Sequence, residues 1–343
     1  MSKKITSKDI AQYANVSQAT VSYVLNNVPG KSISESTRKR VLDAVTQLNY
    51  IPNSAAKRLK SKNSFCVAVR LATTLMTPRY YVAIQGIRSY LEDKGYSILL
   101  CNDQKQGNTF NYIDACVNTQ ADGIIYIASN NQDIPEEALE QIKSYDIPFS
   151  AIDCMSENPT VNSITYDYFA SSYRRADWML KKGAKKFIYI RPDYENPKET
   201  ARERGFLSAT LGHDDIHSNI VRLSDSTDAN SSNYSKINYS LELGKSSVMQ
   251  VRQLINASDP ETYFICSSRE VQQEVSQNLY YRHLITQSPK TNDWYEHTIS
   301  YHFPHYDAGF EAARSLLNLI NNRTDVRKLT LEPILEPTDP DRF

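Results

Sequence analysis

The sequence predicts a small all-α head of helix-turn-helix type and an α/β core with two lobes, each a doubly wound parallel sheet. Two observations lead to this division. Residues 1–62 contain eleven Lys/Arg and three acidic residues, a net charge of +8, whereas the remaining 281 residues carry −8. Beyond residue 64, short apolar runs typical of buried strands alternate with helical patterns. A basic head on an acidic body indicates a nucleic-acid-binding module joined to a second function, although a solvated basic face is the alternative.

Three helices are predicted in the head from capping residues and helical spacing. Thr6, with Asp9 three residues later, forms a variant of the capping box, and Asn15 ends that helix. Ser17 caps a second helix after a tight turn, and Ser34 caps a third. The buried faces repeat at i, i+3 and i+4 and comprise Ile10, Ala11, Ala14, Val21, Val24, Leu25, Val41, Ala44, Val45 and Leu48. Two short helices and a third that completes their core make a helix-turn-helix unit.

The side chains on the outward face of the second helix indicate what the helix-turn-helix unit binds. This face presents Gln18, Ala19, Ser22, Tyr23 and Asn26, which are polar or small. Such a face fits the major groove of DNA, where a glutamine bonds adenine in bidentate fashion. An ordinary solvated face, as on any three-helix bundle, is the alternative.

The order of motifs in the head resembles one family. The pattern DIA-x-x-A-x-VS-x-x-TVS-x-V-L-N, followed by LNY-x-PN-x-x-A-x-x-L, is similar to that of the lactose-repressor and galactose-repressor (LacI/GalR) family of bacterial regulators. The resemblance implies base contacts by Gln18, Ala19 and Tyr23, and phosphate contacts by Thr6, Ser17, Thr20, Ser22 and Asn26. Tyr23 stands where the family usually has Arg. The operator should therefore differ at that base pair, because Tyr cannot make the bidentate guanine contact.

Residues 53–59 match the hinge helix of that family. Asn53 can cap it, and Ala55, Ala56 and Leu59 give it a small apolar face. Seven residues are too few for a stable isolated helix, so we expect it to fold on DNA, paired with the same segment of a second subunit. The resemblance implies that Asn53, Ala56, Lys57 and Leu59 contact DNA, with Leu59 as a wedge in the minor groove. Residues 1–52 are thus predicted as the DNA-binding domain and 53–63 as hinge and linker.

The body, residues 64–343, is predicted as a bilobed effector-binding and dimerisation domain. Strand patterns occupy 65–71, 96–101, 123–128, 148–152, 163–166, 187–190, 220–223 and 263–266, with helices such as 81–93 and 169–182 between them. The first lobe is assigned to about 64–162 and 295–323, and the second to about 163–294 and 324–343. The polar segment 224–246 is interpreted as a surface insertion. The body also resembles the family's core, which is like the periplasmic sugar-binding proteins.

A small-molecule effector is expected in the cleft between the lobes, at the carboxyl ends of both sheets. Thr77, Tyr80, Tyr81 and Asp153 follow first-lobe strands. The resemblance adds Arg202, before Gly205-Phe206, with Arg269 and Phe303 at positions where the family carries Asp and Gln. These departures weaken the case for a plain sugar. Arg202 and Arg269 together would suit a phosphate or carboxylate, whereas Arg269 paired with a surface acid, or a cleft with no effector, are the alternatives.

Other function classes have little support in the sequence. The five cysteines are scattered and no CxxC, GxGxxG or GxxxxGK[ST] motif occurs. No catalytic residues, metal or cofactor are therefore predicted. No apolar run of 18 residues or secretory signal is seen, and a reducing cytoplasm is expected. The prediction is a homodimeric repressor of carbohydrate-utilisation genes that binds double-stranded operator DNA and responds to a sugar or sugar phosphate. The alternative is a solute-binding or enzymatic α/β protein with an incidental basic head.

Overall fold

The computed structural model divides the chain into two compact units, residues 1–64 and 65–343. It describes residues 5–25, 30, 32–50, 63–71, 78–128, 134–154, 161–193, 196–223, 245–267, 275, 284–285, 300–321 and 327–336. No helix in these ranges is long and apolar enough to cross a membrane.

The first unit is the predicted three-helix head. Its helices are α1 (Ser7–Tyr13), α2 (Gln18–Leu25) and α3 (Glu35–Gln47). The Thr6–Asp9 capping box is present, and Asn15 adopts the left-handed conformation that ends α1, with φ 51°. Ser34 accepts from the Thr37 amide at the start of α3. The core is formed by fully buried side chains from all three helices: Ile10, Val21, Val41 and Ala44. The capping and core predictions are therefore confirmed.

The first lobe of the second unit is built on a six-stranded parallel sheet. In chain order its strands are β1 (Cys66–Arg70), β2 (Ser97–Cys101), β5 (Ile124–Ile127), β6 (Phe149–Ile152), β7 (Asn162–Tyr166) and β13 (Lys328–Leu331). In space they run β13-β7-β6-β5-β1-β2. A hairpin of β3 (Lys105–Gln106) and β4 (Thr109–Phe110) lies after β2.

Helices cover both faces of this sheet. On one face are α4 (Pro78–Glu92) and α10 (His305–Ile320), packed against Val67 and Val69 of β1. On the other are α5 (Asn111–Val117) and α6 (Glu136–Ser144), packed against Ala68. The alternation of neighbouring side chains between the two cores is the period-2 geometry of a strand buried on both faces.

The second lobe has a smaller parallel sheet of four described strands. Its strands are β8 (Lys186–Pro192), β9 (His217–Leu223), β10 (Thr262–Cys266) and β11 (Leu284–Ile285), in the order β11-β10-β8-β9. Helices α7 (Tyr168–Lys181) and α8 (Pro197–Thr210) cover one face, and α9 (Lys245–Ala257) covers the other. A separate antiparallel pair joins β12 (Ser300–His302) to β14 (Ile334–Glu336). The predicted pair of doubly wound sheets is confirmed.

The predicted lobe boundaries are wrong at two strands. Residues 163–166 and 328–331 were assigned to the second lobe, yet β7 and β13 pair with each other, and β7 pairs with β6, in the first sheet. The chain therefore passes into the second lobe only after Tyr166, and it extends the first sheet once more on its return. Both strands fit there because Ile164 and Leu329 pack into the core of the first lobe.

Candidate functional site

The predicted recognition face of α2 is exposed at its amino-terminal end. Val21 and Val24 are buried, and Gln18 and Ala19 at the start of the helix are exposed. Ser22 and Tyr23 are half-buried at its middle. A short helix with its amino-terminal residues exposed is the arrangement by which a helix-turn-helix unit reads base edges.

Three of the hydroxyl groups predicted to contact phosphates, those of Thr6, Ser17 and Thr20, lie at helix amino termini. Ser17 Oγ accepts from the Thr20 amide at 3.0 Å and lies 2.9 Å from Thr20 Oγ1. Thr6 caps α1 in the same way, and Asp9 accepts from the Thr6 amide at 2.8 Å. The amide groups at a helix amino terminus carry partial positive charge, which favours a nearby phosphate. Asn26, Asn53, Ala56, Lys57 and Leu59 lie outside the described residues.

A cluster of buried polar side chains lies where the two lobes meet, centred on Asp153. This residue follows β6, has φ 60° and is 5% exposed. Its Oδ1 accepts from the Tyr168 hydroxyl at 2.5 Å and lies 3.1 Å from Lys198 Nζ, which also donates to the Asp153 carbonyl at 2.7 Å. Arg79 Nη1 lies 3.9 Å from Oδ2. Asp153 is thus contacted from α4, α7 and α8, and the structure places it where an effector was expected.

Arg202 belongs to the same cluster but does not face an open cleft. It is 6% exposed, forms an ion pair with Glu199 one turn earlier on α8, and lies over the Tyr168 ring at 4.3 Å. Its side chain therefore does not face a solvent-filled cleft in the free protein. Arg202 Nε and Glu199 Oε2 are buried and have no hydrogen-bond partner among the described residues.

The other predicted effector residues divide into three groups. Tyr80 is buried and accepts a hydrogen bond from Arg79 at 3.0 Å, and Phe303 packs against Tyr168 with ring centroids 4.9 Å apart. Tyr81 is 63% exposed and bonds to Gln85 on its own helix, so the structure does not bring it into the cluster. Thr77 and Arg269 lie outside the described residues.

Five residues of this region were missed by the sequence reasoning: Arg79, Tyr166, Lys198, Glu199 and His305. Tyr166 and His305 lie on two different segments that connect the lobes. The Tyr166 hydroxyl and His305 Nδ1 are 2.7 Å apart. Nothing in the local sequence signals that contact. Lys198 stands four residues before Arg202, and that helical spacing was the one available signal for it.

Burial sets the protonation of two members of the region. Burial, and then the charge of Asp153, raise the pKa of Tyr168 well above that of free tyrosine, so its hydroxyl stays protonated and donates. Burial, and then the positive charge of Arg79, lower the pKa of His305 to about 4. The imidazole is therefore neutral at neutral pH.

Beside Asp153 the first lobe holds a small pocket of about 10 Å³, room for about one water molecule. Its lining combines apolar side chains, including Ile127 and Ile152, with Arg79, Tyr80, Tyr166 and His305. Small-molecule sites in proteins usually enclose more space, on the order of 300–1,000 Å³. A ligand would therefore need the lobes or the cluster to rearrange. Among the described residues, no group of three His, Cys, Asp or Glu side chains could hold a metal ion.

Comparison with known proteins identifies both units. Residues 6–53 match the family model of bacterial regulatory proteins, lacI family. Residues 66–242 match the model of periplasmic binding proteins and sugar binding domain of LacI family. The chain is 29% identical over 205 residues to an HTH-type transcriptional repressor PurR of Mannheimia succiniciproducens. It is 30% identical over 207 residues to a catabolite control protein A of Priestia megaterium. Each alignment spans 60% of this chain and 60% of the relative.

Solved structures show the same fold. The lac repressor dimer bound to operator and an anti-inducer superposes with a TM-score of 0.71 at 18% identity, covering 97% of this chain and 98% of that one. A complex of the transcriptional regulator CelR with cellobiose gives a TM-score of 0.61 at 17% identity, covering 97% and 99%. At such low identity the likeness establishes the fold, and no ligand.

Proposed function

This chain belongs to the LacI family of bacterial regulatory proteins, and we propose from that membership that it represses transcription by binding operator DNA as a homodimer. The observation that carries the proposal is the exposed amino-terminal face of α2 on a capped three-helix core with a basic flanking sequence. Relatives that share its family are transcriptional regulators, which favours this role over an enzymatic one. The role places the protein in the cytoplasm with the chromosome.

The base-reading role of α2 is tested by selecting preferred operators from random DNA for the full chain and its variants. Gln18→Ala should weaken binding to the selected operator by about tenfold, since a bidentate base contact contributes about 1–3 kcal/mol. Tyr23→Arg should move the preference toward guanine at the base pair it faces. Gln47→Ala, also exposed but at the end of α3, is the matched control. An unchanged consensus and affinity for both α2 variants would rule out this interface.

The hinge contributes in the same proposal through residues 53–59. We propose that these residues become helical only on DNA and pair across the dimer, with Leu59 inserted in the minor groove. Two half-sites related by pseudo-twofold symmetry would then be read together. The positive charge of residues 57–62, four Lys/Arg with no acid, supports contact with phosphates.

The lobed unit is proposed to receive a small-molecule effector beside Asp153. The support is a buried set of donors and acceptors next to a pocket, at the meeting point of both lobes. A sugar or sugar phosphate suits this chemistry because hydroxyls pair with Asp153, and an anion pairs with Arg79 or Arg202. A thermal-shift screen of sugars, sugar phosphates and nucleosides identifies the class. Binding that survives Asp153→Ala unchanged would place the effector elsewhere.

A further inference from the structure

A buried ion pair joins the two lobes directly, whereas a second pair between the lobes, Arg174 with Glu332, is exposed. Lys198 reaches from the first turn of α8 in the second lobe to Asp153, which ends β6 in the first lobe. Its ammonium lies 3.1 Å from the carboxylate and donates to the carbonyl of the same residue at 2.7 Å. The two side chains are only 6% and 7% exposed. The contact therefore exists only while the lobes are closed on each other.

The surroundings of this pair also depend on closure. Tyr168, at the start of α7, donates to the same carboxylate oxygen, and its ring packs on Phe303 and under Arg202. Ala201 on α8 packs against the core of the first lobe. Arg202, the residue expected to hold a ligand, is instead bound to Glu199 within α8. The chain's own side chains thus make the polar contacts that a ligand would otherwise make.

The energetics make this pair sensitive to the loss of either partner. Two charges removed from water are tolerated when they are paired and further hydrogen-bonded, as here. If Asp153 is neutralised, the Lys198 charge stays buried without its ion-pair partner. If Lys198 is removed, the Asp153 carboxylate keeps the Tyr168 hydroxyl and Arg79 at 3.9 Å but loses its nearer cation. Opening of the lobes lets water reach the remaining charge, so opening becomes the favourable response.

We propose that the Lys198–Asp153 pair is an interlobe latch that closes the cleft of the free protein without any small molecule. A ligand entering beside Asp153 then acts by displacing the latch rather than by drawing two open lobes together. The inference rests on the proposed effector role of this cleft, but the closure itself is a property of the chain alone.

The test measures the separation of the lobes in the full chain, with no DNA and no ligand. Spin labels are attached through p-acetylphenylalanine placed at Tyr145 and Leu211, which are 53% and 65% exposed and follow α6 and α8 at the ends away from the cleft. Double electron–electron resonance gives the distance distribution. Lys198→Met should shift the main peak to longer distances, and Asp153→Asn should do the same from the other side of the pair.

Lys186→Met is the matched control, because Lys186 pairs with Asp259 at 2.5 Å within the second lobe. It should leave the distribution unchanged, and circular dichroism checks that every variant is folded. The proposal is overturned if Lys198→Met and Asp153→Asn both keep the wild-type distribution, or if Lys186→Met shifts it equally. Since no DNA is present, a failure here leaves the operator-binding proposal intact, and the loss of operator binding in α2 variants leaves the latch intact.

Discussion

At the scale of single residues, side chains that match ligand-binding positions of the family make their polar contacts within the protein, in the buried cluster around Asp153. Arg202 fits the family motif, yet its guanidinium is bound to Glu199 and stacked on Tyr168. The sequence identified Asp153, Tyr80, Arg202 and Phe303 as residues of this region. It could not show their partners, because Arg79 and Lys198 approach Asp153 from 74 residues before it and 45 after it. Such contacts depend on the lobe arrangement, and no local pattern encodes them.

Arg202→Ala should therefore destabilise the protein. Removing one partner of a buried ion pair leaves the other charge uncompensated, which costs about 3–5 kcal/mol. Urea unfolding monitored by circular dichroism gives the free energy of unfolding. Lys181→Ala, which breaks an exposed pair with Asp177, should change it little. The double variant Glu199→Ala/Arg202→Ala should be more stable than Arg202→Ala, and the opposite order would contradict the account.

His305 should make stability depend on pH in the acid range. Its folded pKa of about 4 lies below the unfolded value of about 6.5, so the neutral form is favoured in the folded protein. The resulting stability is fully present above about pH 6.5 and is lost as the pH falls from there toward 4. We expect a loss of about 1–2 kcal/mol between pH 7 and pH 5, allowing for the partial exposure of the ring.

The measurement compares urea unfolding at the two pH values for the wild type, His305→Asn and His213→Asn. His305→Asn should remove that part of the difference between pH 7 and pH 5. His213, exposed in a turn, serves as the control and should leave the difference as it is. An identical pH dependence in the wild type and His305→Asn would show that His305 does not titrate in this way.

At the scale of elements, most strands and helices were predictable, because their residues follow simple periods. The predicted strands at 96–101 and 163–166 differ from β2 and β7 by one residue each. The strand predicted at 220–223 begins earlier, at His217, because the polar, exposed residues of this edge strand give no apolar signal. Strands of two or three residues, such as β11 and β14, are too short to show alternation. Tertiary pairing alone defines them.

The crossing of α4 and α10 depends on two glycines. A Cβ at Gly86 would overlap the Tyr306 carbonyl, and one at Gly309 would overlap the Ala83 carbonyl. Gly309→Ala should therefore destabilise the protein by about 2 kcal/mol or more, because the helices must move apart. Without that contact, Ala in a helix would instead stabilise by about 1 kcal/mol. The sign of the change in the free energy of unfolding, measured by chemical denaturation, distinguishes the two cases. A more stable variant would show that the helices do not approach so closely.

At the scale of the whole molecule, the sequence predicted the order of head, hinge and two lobes but misplaced the boundary between the lobes. Residues 163–166 and 328–331 have the period of strands, and period does not say which sheet a strand joins. The pairing of β7 with β6 carries the chain one strand further across the first sheet before it leaves. As a result, the segments that connect the lobes at Tyr166 and at His305 lie in contact, and the Asp153 cluster forms beside them.

Operator binding by paired hinge helices requires a dimer, and the resemblance to the LacI/GalR family implies an interface around helix 81–93 of the first lobe. In the structure this helix is α4, where Tyr81 is a large side chain with 63% exposure. Tyr306 at the start of α10, the helix packed on α4, is 42% exposed. Exposed aromatic side chains are enriched at interfaces, so we expect Tyr81→Glu to weaken self-association by placing a charge there.

Sedimentation equilibrium of the full chain should give a dimer at micromolar concentration, and Tyr81→Glu should raise the dissociation constant at least tenfold. Tyr145→Glu introduces the same charge at a tyrosine of similar exposure beyond α6, and it should leave the constant unchanged. The Tyr81→Glu variant should also bind the operator more weakly, because it loses dimerisation and two half-sites must be held at once. A wild-type monomer at that concentration, with and without operator DNA, would exclude the paired-hinge mechanism. If the Tyr81→Glu variant still forms the dimer, the interface does not lie on α4.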